Sequence, residues 1–398
     1  MSAQAAQVQQ TKKSNLPALL ALAISAFGIG TTEFVVVGIL STIADDMGVG
    51  ITLAGILVSG YALGVSFGAP ILTVATNKMN RKSLLMLIMV VFIVGNLAAA
   101  LAPSFWILIL ARIFTAFAHG VFFSIGATIA GDLVPENKRA SAISIMFTGL
   151  TVATVTGVPL GTFIGTTFGW RATFFGVAIL GLIAILSSAI LVPRNLKDAP
   201  PASMKDQLKL LKNGRIMLVF LITLLGYGGT FVVFTYLAPL LEDVTGYSTN
   251  AVSLILVLYG VAIAVGNTIG GKAADKNPVK ALLTMFIFQA VILFILSFTA
   301  PMKIVGLATI ILMGLFAFMN VPGLQVYVVQ LAEKYVPSAV NVASAINIAA
   351  FNVGIAIGSF VGGLVVDSIG LIHTAWIGGI MVVGAILLTA LIGKLEKN

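Results

Sequence analysis

The 398-residue chain has no cysteine, only two histidines, and charged residues make up 9% of it. Without cysteine there is no disulfide, no thiolate metal site and no thiol nucleophile. His119 and His373 lie far apart in sequence, which argues against a metal cage. An ordinary soluble domain is about 25% charged, so scarcity of charge excludes a soluble core. What fills the chain instead is apolar: hydrophobic residues are 59% and mean hydropathy is +1.11. The composition predicts an all-α polytopic membrane protein.

Apolar windows predict twelve helices, near 17–40, 51–75, 83–101, 105–130, 141–164, 171–192, 215–238, 250–271, 279–299, 303–329, 338–364 and 370–393. Each is long enough to cross a hydrocarbon core of roughly 30 Å. They divide into a polar tail 1–16, a six-helix bundle 17–192, a linker 193–214, a second bundle 215–393 and a short tail 394–398. The first span is too long for a signal peptide and no small-residue cleavage site follows it. Of the 22 Lys and Arg residues, all but Arg112, Arg171 and Lys303 fall in the tails or in loops after even-numbered helices. The positive-inside rule places both termini on the cytoplasmic side of the membrane. The net charge of +9 therefore reports orientation and anionic lipid rather than nucleic acid. In the linker, Met204, Leu208 and Leu211 share one helical face, with Lys205, Lys209 and Lys212 beside it. This reads either as an amphipathic helix on the inner leaflet or as a flexible tether.

The halves repeat. Thr32-Glu33-Phe34-Val35-Val36 matches Gly229-Thr230-Phe231-Val232-Val233 at an offset of 197, and Ala116-Phe117-Ala118-His119 matches Ala317-Phe318-Met319-Asn320 at 201. Several matches at nearly constant offset predict two pseudo-symmetric bundles of one topology.

Glu33 is the single charge between Pro17 and Leu40. A carboxylate at membrane depth costs at least ~2.5 kcal/mol, so such residues mark pairs, cavities or proton paths. Arg112 is seven residues after Phe105 on the inbound fourth helix, as Glu33 is seven before Leu40 on the outbound first. Each lies ~10 Å inside the outer boundary at 1.5 Å per residue, which predicts a Glu33–Arg112 pair, functional or purely structural. His119 shares the face of Arg112 two turns deeper, either toward a cavity or as a packing residue. Glu33, Arg112 and His119 are the candidate proton-coupling residues. Tyr227, Thr230, Asn320 and Tyr327 are the uncharged counterparts in the second half and candidate substrate ligands. On the fifth helix Gly157, Pro159 and Gly161 allow close contact and a bend, as a gate requires.

At these residues the chain resembles the major facilitator superfamily, in its drug–proton antiporter branch. Within that branch it is most similar to arabinose-efflux-permease and nucleoside-efflux exporters of bacteria. Thr32-Glu33-Phe34-Val35-Val36-Val37-Gly38-Ile39-Leu40 resembles the first-helix signature of that group. The stretch from Ala111 to Gly120, with Arg112, resembles the fourth-helix motif linked to proton coupling. Thr156-Gly157-Val158-Pro159-Leu160-Gly161-Thr162 looks like the antiporter motif of the fifth helix. The loop after helix 2 departs from the family pattern G-x-x-x-D-R-x-G-R-R: Asn77 replaces the acid and the glycines are absent. In the family this loop latches the inner gate, which implies gating roles for Asn77, Arg81 and Asp132, and for Asp275 in the closer second copy.

The resemblance implies alternating access about a central site and efflux of a sugar, nucleoside or amphiphilic drug-like molecule. A proton gradient is the expected energy source, with no cofactor. Glu33 takes a proton facing outward and yields it facing inward as Arg112 or substrate approaches. The alternative within transport is an uncoupled facilitator or lipid flippase. An intramembrane enzyme would need a nucleophile–base set or metal ligands at one depth, which the chain lacks. A receptor would need a soluble signalling domain. The expected partners are a small-molecule substrate, protons and the bilayer, with no nucleic acid, and the expected state is a monomer.

Overall fold

The computed structural model describes residues 15–76, 79–134, 139–194, 196, 204–337 and 340–396. Among them are twelve spans long and apolar enough to cross a membrane: α1 Leu16–Gly38, α2 Ile51–Gly68, α3 Arg81–Ala100, α4 Phe105–Asp132, α5 Ile145–Phe168, α6 Trp170–Leu191, α7 Gly214–Phe234, α8 Thr249–Ala274, α9 Pro278–Thr299, α10 Lys303–Tyr335, α11 Val342–Ser368 and α12 Leu371–Leu395. The expected spans are all present.

Helix starts follow local chemistry. Asn80 accepts hydrogen bonds from the backbone N–H groups of Lys82 and Ser83 at the start of α3. Asn277, 197 residues later, caps Lys280 N–H at the start of α9. These are Asn N-caps at one repeat offset.

Each half is built alike. In the first, α1 packs on α5 and α6, α2 on α4, and α3 on α4 and α6; in the second, α7 packs on α11 and α12, α8 on α10, and α9 on α10 and α12. The two principal contacts between halves, α2 with α11 and α5 with α8, are mates under the same symmetry. One apolar cluster runs through both halves where α1 and α7 end, joining Val36, Leu40 and Leu57 to Leu237, Leu240 and Ile255. A second cluster, around Leu22, Phe92 and Phe122, holds first-half residues. The end that buries Leu40 and Leu240 is therefore sealed across the halves. There the Thr52 hydroxyl meets the Gly363 carbonyl at 3.0 Å and the Asp367 carboxylate at 2.6 Å.

In three helices the interruption lies near a proline, which has no N–H for the carbonyl four residues before it. In α5 the turn Ala153–Gly157 widens to π-helix before Pro159. In α7 the helix stops at Phe234, ahead of Pro239. In α10 it stops at Ala317 and resumes at Val321; Pro322 has no N–H for the Phe318 carbonyl, which accepts from Val321 N–H at 3.1 Å instead.

The linker contains a helix, Met204–Lys212. Leu210 is fully buried while Leu208 and Leu211 are exposed. The helix docks on the second half, against α7 and α11.

Candidate functional site

The α1–α4 contact buries a charged cluster. Glu33 and His119 are 8% and 4% exposed, and Arg112 is 1% exposed. The depth argument holds, but the partners differ from those expected. The Glu33 Oε2 atom lies 3.9 Å from His119 Nδ1. Arg112 forms no ion pair with Glu33 within 4 Å; it donates from Nη1 to the backbone carbonyl of Thr32 at 2.6 Å. The Thr32 hydroxyl in turn donates to Asn96 Oδ1 on α3 at 2.6 Å. Two further Arg112 nitrogens, Nε and Nη2, have no hydrogen-bond partner.

Tyr61 on α2 closes the cluster. The Arg112 guanidinium lies 4.1 Å from the centroid of its ring, a cation–π contact. Its hydroxyl lies 3.2 Å from His119 Nδ1, and either group can donate. Sequence reasoning missed Tyr61 and Asn96. The signal was a single tyrosine or amide deep inside an apolar span, where a polar group calls for an explanation.

The repeat mates meet in the second half as well. Gln289 on α9 donates to the Gly226 carbonyl at 3.0 Å and to the Thr230 hydroxyl. Asn320 donates to Gln289 Oε1 at 3.1 Å. Thr230 and Asn320, expected to line the substrate path, thus spend polar groups on Gln289 and on one another's network. Tyr227 stands among rings, 5.1 Å from Phe231, 5.2 Å from Phe318 and 4.9 Å from Phe351 by centroids. Phe34, beside Glu33, reaches across to Phe231, Phe234 and Phe318 at 6.0–6.3 Å. Tyr327 is elsewhere: it lines a cavity at the far end of α10 with Lys276, Lys334 and Glu396.

Of the expected gating residues, Arg81 and Asp132 form an ion pair tying α3 to α4. Asn77 lies outside the described residues, as does the side chain of Asp275. Gly157 and Gly161 lie against Thr31 and Val35 of α1, and Pro159 is buried beside them. The opposite face of this segment meets α8, where Gly260 approaches the Thr154 backbone. Outside the spans, hydrogen bonds from Trp170 and Arg171 hold the Asp46 carboxyl below its ordinary range. Burial pushes the Glu242 carboxyl up. Among the described residues no group of three or more His, Asp or Glu side chains is placed to hold a metal.

Comparison with known proteins bears on what this scaffold is. The sequence profile described as Major Facilitator Superfamily matches residues 22–342. The chain is 64% identical over 386 residues to the uncharacterized MFS-type transporter YtbD of Bacillus subtilis (strain 168), covering 97% of this chain and 98% of that protein. It is 39% identical to the inner membrane transport protein YdhP of Escherichia coli (strain K12) over 356 residues, 89% of this chain and 90% of that one. The crystal structure of a D-xylose-proton symporter superposes with a TM-score of 0.75 over 94% of this chain and 97% of that one; at 18% identity it shows the fold alone. These relatives are transporters and not enzymes. With twelve spans in two like halves and a profile match over most of its length, the chain belongs to the major facilitator superfamily.

Proposed function

We propose that the protein is a proton-coupled antiporter that exports a small organic molecule by alternating access, with both termini in the cytoplasm. One observation carries the reading: Glu33 is buried at membrane depth yet is not locked to Arg112, which is held by the Thr32 carbonyl. A permanently paired carboxylate could not exchange a proton without breaking a buried ion pair, a costly step. Here Glu33 Oε2 faces His119 Nδ1 across 3.9 Å. The unspent Nε and Nη2 of Arg112 are available to a carboxylate or to substrate when the halves move. The same geometry removes the direct pair on which the facilitator and flippase reading rested.

Substrate binds where the first half meets the second, between the Glu33 cluster and the rings of Phe34, Tyr227, Phe231 and Phe318. This lining favours a molecule with a flat or apolar face. Rocking of the halves on the α2–α11 and α5–α8 contacts opens the sealed end. Loop charge supports the inner-membrane orientation.

The test uses everted vesicles with an acid interior and a panel of pentoses, nucleosides, amphiphilic cations and neutral drugs. One class should dissipate the gradient, and Glu33→Gln should abolish that response while substrate still raises the melting temperature. Equal dissipation by Glu33→Gln, or transport indifferent to an uncoupler, would overturn the coupling.

A further inference from the structure

Tyr61, which closes the Glu33 cluster, has a repeat mate at an offset of 198: Tyr259 on α8. In the first half the Tyr61 hydroxyl meets His119 Nδ1 at 3.2 Å and its ring faces Arg112. In the second half the mate of Arg112 is Met313 and the mate of His119 is Asn320. Tyr259 therefore keeps the ring without the charged neighbour. The ring stacks on Phe234, with centroids 5.4 Å apart and planes at 12°. It fits against α10 because residue 314 is glycine: a Cβ there would meet two Tyr259 ring carbons at 2.8 and 2.9 Å. Tyr259 is 1% exposed, and its hydroxyl has no hydrogen-bond partner among the described residues.

Asn320 also keeps one polar group unspent, and its neighbours fix which one. Gln289 Nε2 donates to the Gly226 carbonyl, which can only accept, so Gln289 presents Oε1 to Asn320. Asn320 must then turn Nδ2 toward Gln289, and its Oδ1 is left as an acceptor. That oxygen has no partner, on a residue that is fully buried. Asn320 stands at the N-cap of the resumed part of α10, where an asparagine ordinarily accepts from the helix's own N–H groups; it makes no such bond. The second half thus holds one hydroxyl and one amide oxygen, both buried and unmet, at the two positions whose mates contact each other in the first half. Both belong to the ring-lined site. Phe34 reaches Phe234, on which Tyr259 stacks, and Phe318 next to Phe234 is two residues before Asn320. The hydroxyls of Tyr227 and Tyr259 are within electrostatic reach of one another.

We propose that Tyr259 and Asn320 are the specificity-determining pair of the second half. The Tyr259 hydroxyl donates to, and Asn320 Oδ1 accepts from, a neutral edge of the substrate that carries both functions, either a diol or a lactam. The inference rests on the central site assigned above but not on its coupling to protons. Rings alone would hold a flat neutral molecule or an organic cation. Buried hydrogen-bonding groups discriminate further, because a molecule that cannot satisfy them leaves them unpaired at a cost. A tetraarylphosphonium cation has no N–H or O–H for Asn320 and no acceptor for Tyr259, so that class is disfavoured.

The experiment uses the full-length protein purified in detergent with no proton gradient, so a failure of coupling leaves its outcome unaffected. Uridine is the probe because it carries a flat ring, a lactam and a diol. Affinity is read from thermal-shift titrations. Uridine should give saturable stabilisation and tetraphenylphosphonium none. Weaker binding of uridine methylated at the lactam nitrogen assigns the lactam, and weaker binding of dideoxyuridine assigns the diol. Tyr259→Phe should weaken uridine binding about three- to tenfold, the range of a net neutral hydrogen bond. Without ligand the same variant should melt at or above the parent, because no internal bond is lost. Tyr61→Phe, whose hydroxyl is bonded, should melt below it. No stabilisation by uridine, equal binding of uridine and both analogues, or a saturable shift with tetraphenylphosphonium would overturn the proposal. So would unchanged uridine affinity in Tyr259→Phe, or a ligand-free melting temperature lowered as far as that of Tyr61→Phe.

Discussion

Arg112 donates to the backbone carbonyl of Thr32 at 2.6 Å, one residue short of the carboxylate that sequence position had paired with it. The guanidinium is anchored by a group that cannot ionise and by the Tyr61 ring at 4.1 Å. Glu33 is left to His119. Arg112→Lys keeps the charge but loses the planar face and the fork. Proton-driven transport by this variant should fall at least about tenfold, the equivalent of 1.4 kcal/mol, while Tyr61→Phe, which keeps the ring, falls less. Initial rates in everted vesicles check the order.

Tyr61→Phe isolates the hydroxyl. It removes the 3.2 Å contact to His119 Nδ1 and leaves the stack on Arg112. The expected loss of stability is about 1 kcal/mol, an ordinary net hydrogen bond, read as a lower melting temperature in detergent. Because His119 then loses the group that orients it, the ratio of protons moved to substrate moved should change as well. An unchanged ratio would make Tyr61 a packing residue.

Gly149 tests the α1–α5 contact. A Cβ added there would meet the backbone of Ala23 and Phe27, which cannot yield as a side chain does. Gly149→Ala should destabilise by about 1–3 kcal/mol, the usual cost of overpacking. Gly176 on α6 has nothing within 4 Å of its added Cβ. Gly176→Ala should be neutral or slightly stabilising, by up to about 1 kcal/mol from helix propensity. Melting temperatures of the two variants should therefore move apart.

Asp46 ties the short helix Leu40–Met47, which follows α1, to α6. Trp170 Nε1 donates to its Oδ2 at 2.9 Å and Arg171 Nη1 does so at 2.5 Å. These bonds lower its folded pKa from the ordinary 3.8. Its stabilisation is thus fully present above pH 3.8 and is lost as pH falls through the lower folded value. The side chain is 48% exposed, so solvent screening keeps the effect small. Asp46→Asn should melt slightly below the parent at pH 7, and the gap should close as the solution is made more acid than pH 3.8.

The repeat offset between His119 and Asn320 has a counterpart in space. His119 lies near Glu33 directly, and Asn320 reaches Thr230 through Gln289. Sequence alignment of the halves showed which positions correspond. It did not show that an amide from α9 would bridge the second pair, because Gln289 has no sequence neighbour that marks it. Likewise the linker pattern placed Met204, Leu208 and Leu211 on one face, and it did not show that Leu210, off that face, is the residue packed against the second half. Periodicity identifies a face, but the docking partner decides which face is covered.

By itself the sequence determined the twelve spans, the two like halves, and the common depth of Glu33 and Arg112. These are properties of hydropathy, period and residue count, all local to the chain. Only the tertiary structure decided that Thr32 rather than Glu33 holds Arg112, that Tyr61 joins the cluster, and that Tyr327 belongs to a separate cavity. Those outcomes depend on how each helix is rotated about its axis and how far each side chain reaches across to its neighbour. Rotation and reach are set by packing among helices distant in sequence, which no single span encodes.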